Sequence, residues 1–559
     1  MIGKVIVSAV SMCLVVAVVI GLVAGVHRQA TAETEQARRI SSAMKAVTSF
    51  CAPTQYKEEC KATLGPVARN ASASPNDFIK AAIEAALEEV NKSLNLSISL
   101  VDSAKDKTER MAVEDCRDLM QFAVDALEAS FATVRDGELR SINDRVDDLR
   151  NWIGSVINFQ QSCLDQIERP DLKSTLQNGY LNATQLTSNA LAIATDFSNI
   201  LQAMNVRLPA APSSRQLFSL TETGYPLWMS AADRKLLQAD TQPQPNAVVA
   251  KDGSGQFNTI SDALAAYPTN GTEKYVIYVK TGIYKEYVKV LKTQPNVYIY
   301  GDGPRKTIVT GNKNKVDGVP TMDTATFTVL GDGFVGKSVG FRNTAGAAKH
   351  QAVAVRVLAD KVAFFNCRMD GYQDTLYVHA YRQFYRNCLI SGTVDFIFGY
   401  ARAVIQNSRI VVRRPMDGQS NTVTAQGMAD KNEPNGIVIQ NCKIVPEMKL
   451  EKDRSKIKTY LGRPWKEFST TVVMESNLGD LIDPSGWLPW SGDLYLDTLT
   501  YREYANVGPG AKTERRVQWK GYKVITDKNE AARFTVGSFL YGDQWLNETG
   551  GPYTIALYN

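Results

Sequence analysis

Two aspartates, Asp374 and Asp395, fall at the same place in two successive repeats, NCRMDGYQDTLYV from Asn366 and NCLISGTVDFIFG from Asn387. Asn, Cys and Asp each recur 21 residues apart, and the asparagine beat extends to Asn343, Asn407 and Asn441 with gaps of 23, 21, 20 and 34. A period near 20 in β-branched, aromatic-rich sequence predicts a parallel β-solenoid in which each repeat is one coil and equivalent residues stack. Neighbouring strands lie about 4.8 Å apart, so the repeat sets two carboxylates side by side on one face. Such a pair can divide the work of nucleophile and proton donor. The alternative is structural: two turn aspartates that only cap their coils. The companions favour chemistry. Gln373 adjoins Asp374 and Gln351 lies one coil earlier, so amide donors converge on the pair. Arg463, in TYLGRPWKEF, offers a bidentate partner that keeps one aspartate ionised, and Trp465 beside it offers a flat face to a sugar ring.

Other chemistries fit poorly. Residues 331–338, GDGFVGKS, match the phosphate-cradling GxxxxGK[ST] loop, but that loop needs a helix starting at its Lys. The run continues instead into VGFRN, which reads as a strand and a turn within the solenoid beat. Aspartic proteases carry DTG or DSG, and neither occurs here; a Ser-His-Asp hydrolase usually shows GxSxG in an α/β setting, whereas GKSVG at 336–340 lies in the strand-and-turn run of the solenoid beat. Only His350 and His379 lie in the second half, where a surface or structural role suits them better than general-base work. No CxxC occurs, which speaks against zinc.

The elements that position the pair can be read from patterning. At 559 residues, two or more domains are expected. Val5 to Val26 is a 22-residue apolar run, long enough to span a bilayer, with Ala30-Thr31-Ala32 available as a cleavage site. Residues 1–32 are therefore a signal peptide or a signal-anchor, and either one sends the rest of the chain into the secretory path. Six Asn-x-Ser/Thr triplets, at Asn70, Asn91, Asn95, Asn182, Asn270 and Asn547, fit that route, as do seven cysteines beyond the apolar run. Residues 33–205 read as helical. FIKAAIEAALEEVNKSL puts Phe78, Ile79, Ile83, Ala86, Leu87, Val90 and Leu94 on one face, and Cys51, Cys60, Cys116 and Cys163 suggest a helical bundle with two disulfides. Residues 206–245, with five prolines, read as a linker that carries a dibasic site at Arg234-Lys235-Leu236-Leu237. From Asn246 the pattern turns to short strands, at 275–280, 296–300, 307–311 and 403–412, with no long helices between them. The wide gap from Asn407 to Asn441 reads as an inserted loop over the active face. Charge is split too: from residue 239 onward, 39 Lys+Arg face 31 Asp+Glu, a net of +8, against −3 for the remainder. A basic secreted domain suits a polyanionic partner, although ordinary solubility charge explains the number as well.

At these residues the chain resembles plant pectin methylesterases. The matching runs are GYQDTLYVH at 371–379, GTVDFIFG at 392–399, LGRPW at 461–465 and GWLPW at 486–490, with VVAKDGSGQFNTISDAL at 248–264 and YVKTGIYKEYV at 278–288. The first half resembles the inhibitor-like pro-region that precedes many such enzymes. The resemblance implies an all-β right-handed parallel β-helix over 246–559, preceded by an all-α four-helix-bundle pro-domain over 33–205 with a processing site in 206–245. It implies hydrolysis of methyl esters in homogalacturonan (pectin), with no metal or organic cofactor, in the cell wall. Carried over by position, Asp395 is the nucleophile and Asp374 the acid and then the base. Gln373 and Gln351 stabilise the oxyanion, Arg463 holds Asp395, and Trp465 and Thr321 contact the sugar. Implied partners are methyl-esterified pectin and inhibitor-type helical bundles, its own pro-region included; no nucleic acid is implied, and a membrane only through residues 5–26 if they stay attached.

Three departures from the family pattern stand out. Gly318-Val319-Pro320-Thr321-Met322 replaces Gly-x-Thr-Thr-Phe, Tyr400 stands where Asn usually follows FIFG, and Ser408 replaces a Cys that usually pairs with the position of Cys388. A Cys388–Cys367 bond is the expected substitute, leaving Cys442 free. Two competing readings are a catalytically weak pectin-binding protein and a helical half that acts mainly as a protein inhibitor. A pectate lyase is disfavoured because the matching motifs are those of esterases.

Overall fold

The computed structural model describes Ala24 and residues 44–70, 72–135, 137, 139–204, 206, 243–269, 271 and 273–558. The apolar run at 5–26, apart from Ala24, and the Arg234–Leu237 site lie outside the described residues. Among those described, no helix is long and apolar enough to cross a membrane. The chain forms two compact units. One takes Met1–Glu89, Leu127–Leu149 and Asn182–Pro209, and the other takes Val90–Ala126, Arg150–Leu181 and Ala210–Asn559.

Among the described residues before 205 helices dominate, the longest being Pro75–Leu100, Lys107–Arg135, Val146–Gln166 and Leu181–Thr195. Pro75–Leu100 begins where its sequence says it should. Pro75 takes the first position, and the Asp77 carboxylate accepts hydrogen bonds from the Ser74 amide and hydroxyl at 2.8 Å. Its apolar stripe is interior, with Phe78, Ile79, Ile83, Ala86 and Val90 buried; Leu87 and Leu94 are half-buried at its margin. In the first unit Cys51 bonds Cys60, Phe50 stacks on Phe78 at 5.1 Å, and the Asn189 amide clamps the Tyr56 backbone. In the second unit Cys116–Cys163 ties helix Lys107–Arg135 to Val146–Gln166.

Beyond Asn246 every strand pairing is parallel, in sheets of eleven, seven and eight strands. Seven successive coils give one strand to each sheet. Val362–Phe365, Arg368–Asp370 and Leu376–Ala380 are followed one rung on by Arg382–Arg386, Leu389–Gly392 and Ile397–Gly399. This is the parallel β-helix that the period implied. Its interior is a column of stacked apolar side chains, among them Phe364 on Tyr385 at 5.3 Å and the buried Ile390, Ile405, Ile410 and Ile439. The C-terminal residues Phe539, Leu540, Trp545 and Leu546 cover the outer face of the eleven-stranded sheet at Val404, Val438 and Val472.

The asparagine beat has a physical cause. Asn366, Asn387, Asn407 and Asn441 all turn the chain between sheets with φ between 49° and 55°, a left-handed conformation that Asn tolerates better than most residues. Asn407 donates to the Asn387 side chain at 2.6 Å, continuing the stack. Asn343 is a correction to the sequence reading. It sits at the end of strand Gly340–Asn343 and donates to three backbone carbonyls, while Ser338, at φ 59°, holds the ladder position below Asn366. The GDGFVGKS run forms strand Val335–Lys337 and that turn, with no helix after it. The extra residues between Asn407 and Asn441 form two loops around strand Asn421–Gln426.

The expected Cys388–Cys367 bond is absent. Cys367, Cys388 and Cys442 are buried free thiols, each pointing at backbone carbonyls of its own and the preceding rung. In-register residues of parallel strands hold their Cβ atoms about 4.8 Å apart, whereas a disulfide needs about 3.8 Å.

Candidate active site

Asp374 and Asp395 each sit just before a strand of the seven-stranded sheet, with φ of 62° and 51°. Leu376 pairs with Ile397 and Tyr377 with Phe398, and the Asp374 amide donates to the Val394 carbonyl at 3.1 Å. The two aspartates are therefore in register on adjacent rungs. At 7% and 6% exposure both are nearly withdrawn from water.

Their surroundings differ. Arg463 forks onto Asp395, Nε to Oδ1 at 2.8 Å and a terminal nitrogen to Oδ2 at 2.6 Å. Thr422 adds a second clamp: its hydroxyl donates to Asp395 Oδ1 at 2.7 Å and accepts from the Asp395 amide at 2.8 Å. Asp374 has no side-chain hydrogen-bond partner among the described residues. Burial, reinforced by the neighbouring Asp395 charge and only partly offset by Arg463, holds its carboxyl well above the usual carboxylate range. One member of the pair is thus clamped by Arg463 and Thr422, and the other is set up to carry a proton.

The remaining candidates gather unevenly. Gln351 and Gln373 face each other across one rung, and neither side-chain amide bonds another described residue. Trp465 packs on Tyr400 at 4.8 Å and Phe398 at 5.9 Å, on the same sheet face as the aspartates. Thr321 opens a short 3-10 turn before strand Phe327–Val329, two rungs below Leu376–Ala380, and no hydrogen bond joins it to the pair. Two residues escaped the sequence reading. Thr422 lies 27 residues beyond Asp395 on a rung lengthened by the insertions, so no spacing signalled it. Trp490 stacks under the Arg463 guanidinium at 4.4 Å, and its only signal was the GWLPW run. His379 is structural: buried, kept neutral by burial and by Arg356, and stacked on Tyr377 at 4.3 Å.

Within the same compact unit, the stretch of helix Val146–Gln166 from Arg150 onward lies against this face. Ser162 bonds His379 at 2.9 Å, and Phe159 sets an edge on His379 and Tyr381. Asp165 accepts from the Tyr400 hydroxyl at 2.6 Å and pairs with Lys466 at 2.7 Å, beside Trp465. Tyr400, one of the departures from the family pattern, therefore serves this contact.

Comparison with known proteins decides the family. The pectinesterase family profile matches residues 246–543, more than half of the chain. The chain belongs to the pectinesterase family. As a pectinesterase it is a carboxylic ester hydrolase, and the profile of plant invertase/pectin methylesterase inhibitors matches residues 45–193. "Putative pectinesterase/pectinesterase inhibitor 28" of Arabidopsis thaliana is 41% identical over 99% of this chain and 74% of its own length. "Pectinesterase 1" of Citrus sinensis is also 41% identical, over 96% and 92%. The solved structure of pectin methylesterase from carrot superposes with a TM-score of 0.56 at 51% identity, covering 57% of this pectinesterase and 99% of that chain.

Proposed function

We propose that the pair hydrolyses the methyl esters of methyl-esterified homogalacturonan (pectin) through an acyl-enzyme. An Asp395 oxygen attacks the ester carbonyl carbon, and the departing methoxide takes the Asp374 proton as methanol. Asp374, now a carboxylate, removes a proton from water, which attacks the acyl carbon and releases galacturonate and the Asp395 carboxylate. Gln373 and Gln351 supply amide donors to the oxyanion, worth about 3 kcal/mol each in comparable sites. Arg463 and Thr422 orient the nucleophile, and Trp465 and Thr321 contact the sugar. The observation that carries this reading is the split environment of two in-register carboxylates, one clamped by Arg463 and one buried without a partner. Replacing Asp395 by Ala in the processed protein should abolish methanol release from pectin while leaving the fold intact. Retained release would reject Asp395 as nucleophile.

The proposed organisation is a signal segment over 1–32, an inhibitor-like pro-region over 33–205, a linker with a processing site over 206–245 and the esterase over 246–559. It places the mature enzyme in the cell wall. The pro-region acts as an autoinhibitor: Phe159, Ser162 and Asp165 occupy the aromatic face where a pectin chain would lie. Methanol release should then rise when the linker is cut.

A further inference from the structure

A second groove runs along the outer face of the eight-stranded sheet, around the corner from the aspartates. Two overlapping hollows of about 630 and 760 Å³ form it, sharing Arg305, Arg368, Leu389 and Arg409. Six cations line it, Arg305, Arg342, Arg368, Arg409, Arg413 and Lys443, against the three carboxylates of Asp370, Glu447 and Glu475. The pairing is lopsided. Asp370 takes both Arg342 and Arg368, and Glu447 takes Arg413. Arg305, Arg409 and Lys443 are exposed and make no ion pair with any described residue. The parallel register organises these charges: Arg368, Leu389, Arg409 and Lys443 occupy one position on successive rungs. Arg409 and Lys443 therefore stand about 4.8 Å apart along the helix axis, with Arg368 two rungs before Arg409.

We infer that this groove binds de-esterified galacturonan, a linear polymer with one carboxylate per sugar, and so holds the product of the esterase site. The inference rests on the esterase reading for the identity of its ligand. Half-buried Leu389 and Val411 between the cations offer aliphatic surface to sugar rings. The groove suits a nucleic acid less well: its one aromatic ring, Tyr372, is already covered by the Arg413 guanidinium at 3.8 Å. Tyr372, which lines the groove, directly precedes Gln373 and Asp374 in the chain, so the backbone joins the groove to the esterase site. A chain that has lost its esters can stay on the enzyme while the next ester enters.

Calorimetric titration of the full chain with a fully de-esterified oligogalacturonide tests this, because that ligand needs no turnover. Binding should weaken as salt rises. It should weaken at least tenfold in the R305S/R409S/K443S variant and persist in Asp395→Ala, with melting temperatures unchanged. K443E alone should weaken it severalfold. A fully methylated oligomer should not bind the groove. Unchanged affinity in the triple variant, or equally tight binding of polyglutamate of matched charge, would overturn the inference. Failure of the esterase reading would instead appear as absent methanol release from the processed protein with oligogalacturonide binding intact.

Discussion

Arg463→Lys separates charge from geometry at the nucleophile. Arginine holds both Asp395 oxygens, at 2.8 and 2.6 Å, whereas an ammonium can satisfy one at a time. Two effects oppose each other. A weaker clamp makes the carboxylate intrinsically more nucleophilic, and it also lets the group rotate away from the ester. Orientation should win, because Asp395 is nearly buried and Thr422 alone cannot hold both oxygens. One charge-assisted hydrogen bond is worth about 1.5–3 kcal/mol, which corresponds to a loss of roughly 10- to 150-fold in kcat. Initial rates of methanol release by the processed protein measure it, with KM expected to change little because Arg463 is engaged with Asp395. A kcat within twofold of the parent would refute the assignment of Arg463 as the residue that positions Asp395.

Asp374→Asn removes a buried acid whose folded-state pKa is raised. Such a group stabilises the fold below its unfolded pKa, about 3.9, and that contribution is lost as pH rises through the folded value. The variant should therefore melt higher than the parent at neutral pH, with the gap closing toward about pH 4; thermal scans across pH show it. Asp165→Ala removes the partner of Tyr400 and Lys466 and should raise methanol release by the uncut chain, an assay that would show no change if the helix did not cover the site. Denatured, unreduced 239–559 fragment should titrate three thiols, from Cys367, Cys388 and Cys442; one thiol would mean that two of them are bonded after all.

The β-helix was legible because its period is written in residues that have one physical job. Asparagines at left-handed turns and aspartates at the next turn repeat with the coil, and the coil length can be counted from them. The same logic misplaced Asn343, because the coil beneath Asn366 is longer and fills the ladder position with Ser338, 28 residues back. Thr422 stayed hidden for a related reason, since its rung carries loops that destroy the spacing. The cysteine expectation failed because spacing along the chain says nothing of Cβ separation between rungs. Contacts such as Asp165 with Tyr400 join segments 235 residues apart, and no local pattern announces them.

The central claim is that Asp374 carries a proton while Arg463 grips both oxygens of its partner Asp395. Carbon-13 NMR of aspartate-labelled processed protein reads it directly. The account predicts a protonated carboxyl resonance at neutral pH that disappears in Asp374→Asn and survives in Arg463→Lys. Its disappearance in Asp395→Asn alone, or the absence of any protonated aspartate, would contradict the account.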